Sequence, residues 1–169
     1  RGRPSVVRSY GVRRMGEPGE VDEHTLFAIG STTKAFTSAL LAMLVDEGKL
    51  TWDTKVADAL PGFRMYDPYA SAEMTVRDLL VHRSGLGLGA GDLMFYPPTT
   101  LSRADIVHKL RYIKPATSFR SQYAYDNLLY VVAGQVIEAV HGKPWEVAIR
   151  ERILNPLQMG TTTTTSDLP

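Results

Sequence analysis

Apolar residues recur at three- and four-residue spacing between Ser31 and Gln158, and that periodicity predicts a largely helical chain. Phe36, Ala39, Leu40, Met43 and Leu44 form a stripe that predicts a helix over about residues 31–47, with Gly48 as its C-terminal cap. Ala35, Leu41, Ala42 and Val45 add apolar surface on its other faces, so this helix is expected to be central and buried nearly all round. A second strong helix begins at Asp126 or Asn127, carries Leu128, Val131, Val132, Gln135, Val136 and Ala139, and ends at Gly142. Pro144 suits the first turn of a further helix, which Asn155-Pro156 ends. Thr75 can cap a turn through residues 76–82, and Ser102 with Asp105 makes a capping-box-like start to a helix reaching Tyr112.

Between these elements lie segments rich in Pro, Gly and Ser, and residues 61–74, 84–100 and 114–122 read as loops. Residues 5–12 read as one short strand, with Gly16, Pro18 and Gly19 making the turn that follows. One strand beside five or so helices has no partner, and an isolated strand is not stable. A fragment of an α/β protein is therefore a more economical reading than an all-helical domain. The chain shows no internal repeat, and Thr161 to Thr165 form a small low-complexity patch near its end.

Composition narrows the function classes. The chain has 169 residues, enough for one domain with a real core, and its 44% hydrophobic and 22% charged residues are those of a globular protein. Nineteen Lys and Arg against eighteen Asp and Glu leave a formal charge of +1, which gives no electrostatic reason to expect nucleic acid or an anionic membrane as partner. The absence of cysteine excludes disulfides, thiol catalysis and thiolate metal sites. The longest apolar run, residues 39–45, falls far short of the ~20 residues that span a bilayer. The first residues lack the apolar segment of a signal peptide, and the chain does not open with Met, so it is expected to be the inside of a longer protein.

Two clusters could carry chemistry. Ser31 stands at the mouth of the first helix, directly after Gly30, and Lys34 lies one turn later on the same face. A serine hydroxyl becomes a good nucleophile when a neighbouring base takes its proton, and a desolvated, neutral lysine amine can be that base. Backbone N–H groups at the helix start would favour a developing oxyanion. Yet two common residues at this spacing occur about once by chance in a chain of this length. On the motif alone, a helix cap followed by a surface lysine is the better explanation. Tyr125-Asp126-Asn127 falls at a loop-to-helix junction. A phenol beside a lysine can relay protons, and an asparagine amide can bind both a lysine and a substrate carbonyl. Its plainer explanation is a cap with Tyr123, Tyr125 and Tyr130 packed as aromatic filler.

Taken with their surroundings, the two clusters resemble a known family. The segment from Phe27 to Thr37 (FAIGSTTKAFT) resembles the active-site segment of the serine β-lactamase and penicillin-binding-protein superfamily, in particular its class C β-lactamase and family VIII esterase branch. Leu79-Leu80-Val81-His82-Arg83-Ser84-Gly85-Leu86 is similar to that branch's Leu-Leu-x-His-x-Ser-Gly-Leu loop. Tyr125-Asp126-Asn127 matches its Tyr-x-Asn motif, and the segment from Ile153 to Met159 (ILNPLQM) resembles its Pro-Leu-Gly-Met segment. The resemblance implies an α/β (α+β) fold of the β-lactamase/transpeptidase type. This chain would hold a strand and turn region at 1–30, the nucleophile helix and helical region at 31–160 and a truncated tail at 161–169, without the C-terminal strands.

It also implies roles. Ser31 would be the acylated nucleophile, Lys34 its proton acceptor, and Tyr125 the activator of the attacking water or a partner in base duty. Asn127 would orient Lys34 and bind substrate, and the Ser31 backbone N–H would be one of two oxyanion donors. The substrate would be an ester, a β-lactam or a D-amino-acid peptide, with promiscuous esterase activity expected of the complete protein. No cofactor is implied, and a periplasmic or secreted location follows from the family alone. Two departures stand out. The family's third motif, Lys-Thr-Gly or a variant, lies on a strand beyond the last residue here, so residues 1–169 by themselves are expected to be poorly active or inactive. Asp126 places a charge where small residues are usual, which counts against β-lactam hydrolysis. The rival reading is a non-catalytic peptide- or partner-binding member of the same fold, or an inert truncated product.

Other signals carry less. Residues 85–90 (GLGLGA) match a dinucleotide fingerprint formally, but a strand before and a helix after are lacking, and a mobile loop at a cleft edge is expected instead, where Asp92, Phe95 or Tyr96 could touch substrate. His24, His82, His108 and His141 have no ligand spacing, so no metal site is expected, and His82 is read as satisfying loop backbone groups. Arg111, Lys114 and Arg120 read as solvated surface, and Trp52 and Trp145 as packing residues.

Overall fold

Two fourteen-residue helices form the centre of the fold, as their apolar periodicity predicts. They are α1 (Thr33–Asp46) and α5 (Leu128–His141). The computed structural model describes residues 6–165. These divide into two compact units, one of residues 6–30 with 162–165 and one of residues 31–161.

In the larger unit α1 is preceded by a 3-10 turn, Gly30–Thr32, and no residue from Phe36 to Val45 is exposed. The expected burial is thus found over that stretch, although Ala35 is exposed. Leu40, Leu41 and Leu44 of α1 pack in one core with Leu128, Leu129, Val132, Ala133, Val136 and Ile137 of α5. Each of the Leu, Val and Ile side chains is worth about 2 kcal/mol of burial, which fixes the two helices against each other. The C-terminal end of α5 is closed as expected by Gly142, whose φ of +80° suits a residue without Cβ. Then α6 (Trp145–Ile149) follows Pro144 and runs into a π-helical turn, Arg150–Leu154, that stops before Pro156. Trp52 and Trp145 both pack against the core.

The capping box at Ser102 and Asp105 is present with both reciprocal bonds and opens α4 (Arg103–Lys109), which a 3-10 turn extends to Tyr112. Two short helices were not expected. The first is α2 (Val56–Ala59) and the second is α3 (Pro68–Glu73), which lies inside the supposed loop at 61–74. The start of α3 is legible after the fact, since the Asp67 carboxylate accepts the Tyr69 N–H and Pro68 occupies the first turn. Conversely, residues 76–82 form turns rather than a helix, although Thr75 and Asp78 make the reciprocal bonds of a cap.

In the smaller unit the expected strand is not found. Residue 5 lies outside the described residues, and residues 6–12 form no strand. Only an isolated antiparallel bridge joins Val12 to Glu20 around the turn that contains Gly16, Pro18 and Gly19. A second isolated bridge, Lys55 with Thr75, belongs to the larger unit, and no strand occurs among the described residues. The physical reason is the one noted above. A strand persists only in a ladder, and the described residues offer none.

Candidate active site

Ser31 and Lys34 come to one place because the 3-10 turn and the first turn of α1 put them on the same face. Lys34 Nζ donates to Ser31 Oγ at 3.0 Å, and the Tyr125 hydroxyl donates to the same oxygen at 2.5 Å. Lys34 Nζ also donates to Asn127 Oδ1 at 2.7 Å and lies 4.7 Å and 5.2 Å from the ring centres of Tyr125 and Tyr130. All four residues singled out in the sequence therefore form one connected cluster, although more than ninety positions separate its two halves. Ser31 is exposed, whereas Lys34, Tyr125 and Asn127 are half-buried.

The start of α5 divides two tasks between neighbouring side chains. Asn127 occupies the N-cap position but makes no capping bond, because its amide is turned into the cluster. Asp126 caps in its place, its Oδ1 accepting the Leu128 N–H at 2.8 Å. Its Oδ2 accepts from Ser84 Oγ at 3.2 Å, and the Ser84 hydroxyl oxygen accepts the Leu86 N–H at 3.1 Å. Asp126 is thus fully buried and faces away from Ser31, so it does not put a charge into the cleft as the sequence suggested. Burial pushes its carboxyl up to about 6 despite these bonds.

His82 supports the cluster from below. Its ring packs 4.6 Å from that of Tyr125 and 5.6 Å from those of Tyr123 and Tyr130. Its Nδ1 accepts the Asp126 backbone N–H at 3.1 Å, and burial together with the nearby Lys34 ammonium depresses its protonation below the usual histidine range. The ring is therefore a neutral spacer with its proton on Nε2, satisfying a loop backbone group as expected. The Tyr125 phenol is pulled below the ordinary tyrosine range by the Lys34 ammonium and by the Ser31 hydroxyl. A phenol shifted in that direction is easier to convert to a proton acceptor.

Two residues behave differently from their sequence reading. Arg120 is not merely solvated surface. Its guanidinium holds the buried Asp78 carboxylate through bonds of 2.9 and 2.6 Å and fastens residues 118–120 to residues 75–78. Asp92, expected on a loop at a cleft edge, also accepts from Asn127 Nδ2 at 3.0 Å, a contact that no spacing rule reveals. Among the described residues no cluster of His, Asp and Glu could hold a metal ion. No described helix is long and apolar enough to cross a membrane.

The sequence profile of the Beta-lactamase family matches residues 1–169. This chain belongs to the β-lactamase family. Its β-lactamase-family relatives include the unguisins hydrolase ungD of Aspergillus violaceofuscus, 33% identical over 92% of this chain and 29% of that protein. Another is the D-alanyl-D-alanine-carboxypeptidase/endopeptidase AmpH of Escherichia coli K12, 30% identical over 97% of this chain and 43% of that protein. Among solved structures, a D-stereospecific amidohydrolase from a Streptomyces species superposes with a TM-score of 0.66 at 32% identity, covering 79% of this chain and 43% of that one. The fold is therefore that of the β-lactamase family of serine hydrolases, and the chain spans less than half the length of these relatives.

Proposed function

We propose that the protein containing this chain is a serine hydrolase that works through an acyl-enzyme on Ser31, with amides or peptides bearing a D-residue at the scissile bond as its main substrates. The observation that carries this reading is the convergence of Lys34 Nζ and the Tyr125 hydroxyl on one serine oxygen, at 3.0 and 2.5 Å. With both groups protonated, each donates to Ser31 Oγ. Loss of one proton from the Lys34–Tyr125 pair converts a donor into an acceptor for the serine proton. Ser31 Oγ then attacks the substrate carbonyl carbon, and the carbonyl π electrons move to oxygen. The Ser31 backbone N–H at the helix start is one donor to that oxyanion. Collapse expels the amine, which takes the proton held by the pair, and leaves Ser31 acylated. A water gives its proton to Tyr125 and its oxygen attacks the acyl carbon; collapse breaks the bond to Ser31 Oγ, which takes that proton, and frees the acid. Asn127 binds Lys34 through Oδ1 and so keeps the ammonium on Ser31. The likeness to AmpH, a D-alanyl-D-alanine-carboxypeptidase/endopeptidase, and to the D-stereospecific amidohydrolase favours a D-residue beside the scissile bond.

The test is intact-mass spectrometry of the full-length protein after brief exposure to an activated short-chain ester, a penicillin or a D-amino-acid amide, beside Ser31→Ala. An added acyl mass that is absent from the variant is the expected result, with D-amide turnover abolished in the same variant. A folded protein that gains no mass and releases no product from any of the three reagents would sink the hydrolase reading and leave a binding module.

A further inference from the structure

The side chain of Asn127 has two unlike ends, an oxygen that only accepts and an NH2 that only donates. Lys34 offers donors and no acceptor, so the oxygen must face it, as it does at 2.7 Å. The NH2 end meets Asp92 Oδ2 at 3.0 Å, and an ionised carboxylate only accepts. Rotating the amide by half a turn would set its NH2 against an ammonium and its oxygen against a carboxylate, so both contacts would fail. Two opposite charges therefore fix the orientation of one amide.

Asp92 is held in this place by more than that bond. It opens a 3-10 turn, Asp92–Met94, its N–H donates to Gly89 O, and the Gly89 N–H donates to Tyr125 O at 3.0 Å. Gly91 has φ +77°, and a Cβ there would stand 2.5 Å from Leu128 Cδ1. The loop is thus seated on the first turn of α5. The other carboxylate oxygen, Oδ1, is buried and has no hydrogen-bond partner among the described residues. Burying a carboxylate in this way costs free energy, and an unpaired buried oxygen is the kind of expense that marks a functional site.

We propose that Asp92 is a positioning residue, which locks the Asn127 amide with its oxygen toward Lys34 and supplies the negative charge that holds the Lys34 ammonium against Ser31. This rests on the acyl-enzyme reading given above. The groups around Lys34 are the rings of Tyr125 and Tyr130, the His82 imidazole, Ser31 and Asn127, with Asp92 behind Asn127. The other nearby carboxylate, Asp126, is turned to Ser84 and Leu128.

The test compares full-length wild type with Asp92→Ala and Asp92→Asn, measuring the single-turnover acylation rate with an activated ester across pH. The Lys34 titration is followed in parallel by 13C NMR of its ε carbon, a readout that needs no turnover. Asp92→Ala frees the amide to turn and slows acylation by about 100-fold, the scale of an ångström-sized misplacement. Asp92→Asn still offers an oxygen to Asn127 Nδ2 and recovers most of that loss. In both variants the Lys34 titration and the acidic limb of the rate profile move to lower pH, because a neighbouring negative charge has been removed. An unmoved Lys34 titration would overturn the proposal, as would equal slowing in both variants accompanied by a lowered Tm. If wild type forms no acyl-enzyme, the acyl-enzyme reading fails, and the Lys34 titration still decides the role of Asp92.

Discussion

Two junctions in the larger unit bury an aspartate each and treat it in opposite ways. Where residues 75–78 meet residues 118–120, Asp78 is 6% exposed and receives the Arg120 guanidinium, the Thr75 hydroxyl and the Thr75 N–H. Burial by itself would push this carboxyl up, but Arg120 and Thr75 outweigh it and hold it below the usual aspartate range. Where residues 82–86 meet residues 124–127, Asp126 is 0% exposed and receives a serine hydroxyl and backbone N–H groups, with no cation bonded to it among the described residues. Its carboxyl is pushed up to about 6. Two buried aspartates are thus shifted in opposite directions, and the Arg120 guanidinium with the Thr75 bonds on Asp78 turns the sign. The contrast also separates two uses of a buried acid. Asp78 fastens two loops through a charge pair, whereas Asp126 caps a helix and leaves the neighbouring Asn127 free for the site.

The largest way to break this contrast is to separate both junctions at once. Gly85 lies between them with φ +93°, its carbonyl accepts from the Ala116 and Thr117 N–H groups, and a Cβ there would meet Thr117 O at 2.8 Å. Gly85→Ala is expected to cost about 3 kcal/mol in chemical denaturation, from backbone strain plus a clash with main chain that cannot swing aside. A cost below about 1 kcal/mol would mean that the junctions are not fastened here. Next in size, Arg120→Ala strands the Asp78 charge and should cost about 2 kcal/mol at pH 7, less than for a fully enclosed pair because the Arg120 side chain remains 42% exposed. Equal stability of the variant and wild type would remove Asp78 from the contrast.

The smallest change sharpens the comparison rather than breaking it. Asp126→Asn keeps an oxygen for the Leu128 N–H and removes a charge that burial disfavours, so at pH 7 it should gain on the order of 1 kcal/mol. The sign follows from linkage. A carboxyl raised to about 6 in the folded state holds its proton more tightly than the unfolded chain does, so its contribution to stability grows as pH falls from above 6 toward 4. The advantage of Asp126→Asn should therefore shrink over that window, while Asp78, depressed in the folded state, keeps its contribution down to the ordinary aspartate range and loses it as pH falls from there through its own lower value. Denaturation of the variant and wild type at pH 7, 5.5 and 4 checks this, and an advantage independent of pH would refute it.

Much of the helical frame was legible from local rules. The stripes of α1 and α5, the Ser102 capping box and the Gly142 cap each follow from spacing within one turn or two, where a residue's neighbours in sequence are also its neighbours in space. Short α2 and α3 escaped because four to six residues give too few periods to see, and the strand expected at 5–12 failed because pairing depends on a partner elsewhere. The candidate site divides along the same line. Ser31 with Lys34, and Tyr125 with Asn127, could be named from sequence because each pair is local and the motifs together resemble a family.

What the sequence determined by itself is therefore the helical periodicity, the caps and the candidate residues Ser31, Lys34, Tyr125 and Asn127. The tertiary structure decided which way each polar group points. Packing of α5 on α1 brings Tyr125 and Asn127 onto Ser31 and Lys34, while the folding of the intervening loops turns Asp126 inward as a cap, sets Arg120 on Asp78 and delivers Asp92 to Asn127. Hydrogen bonds and charges act over about 3 Å in space whatever their separation along the chain, so their pairing is fixed only when the core closes.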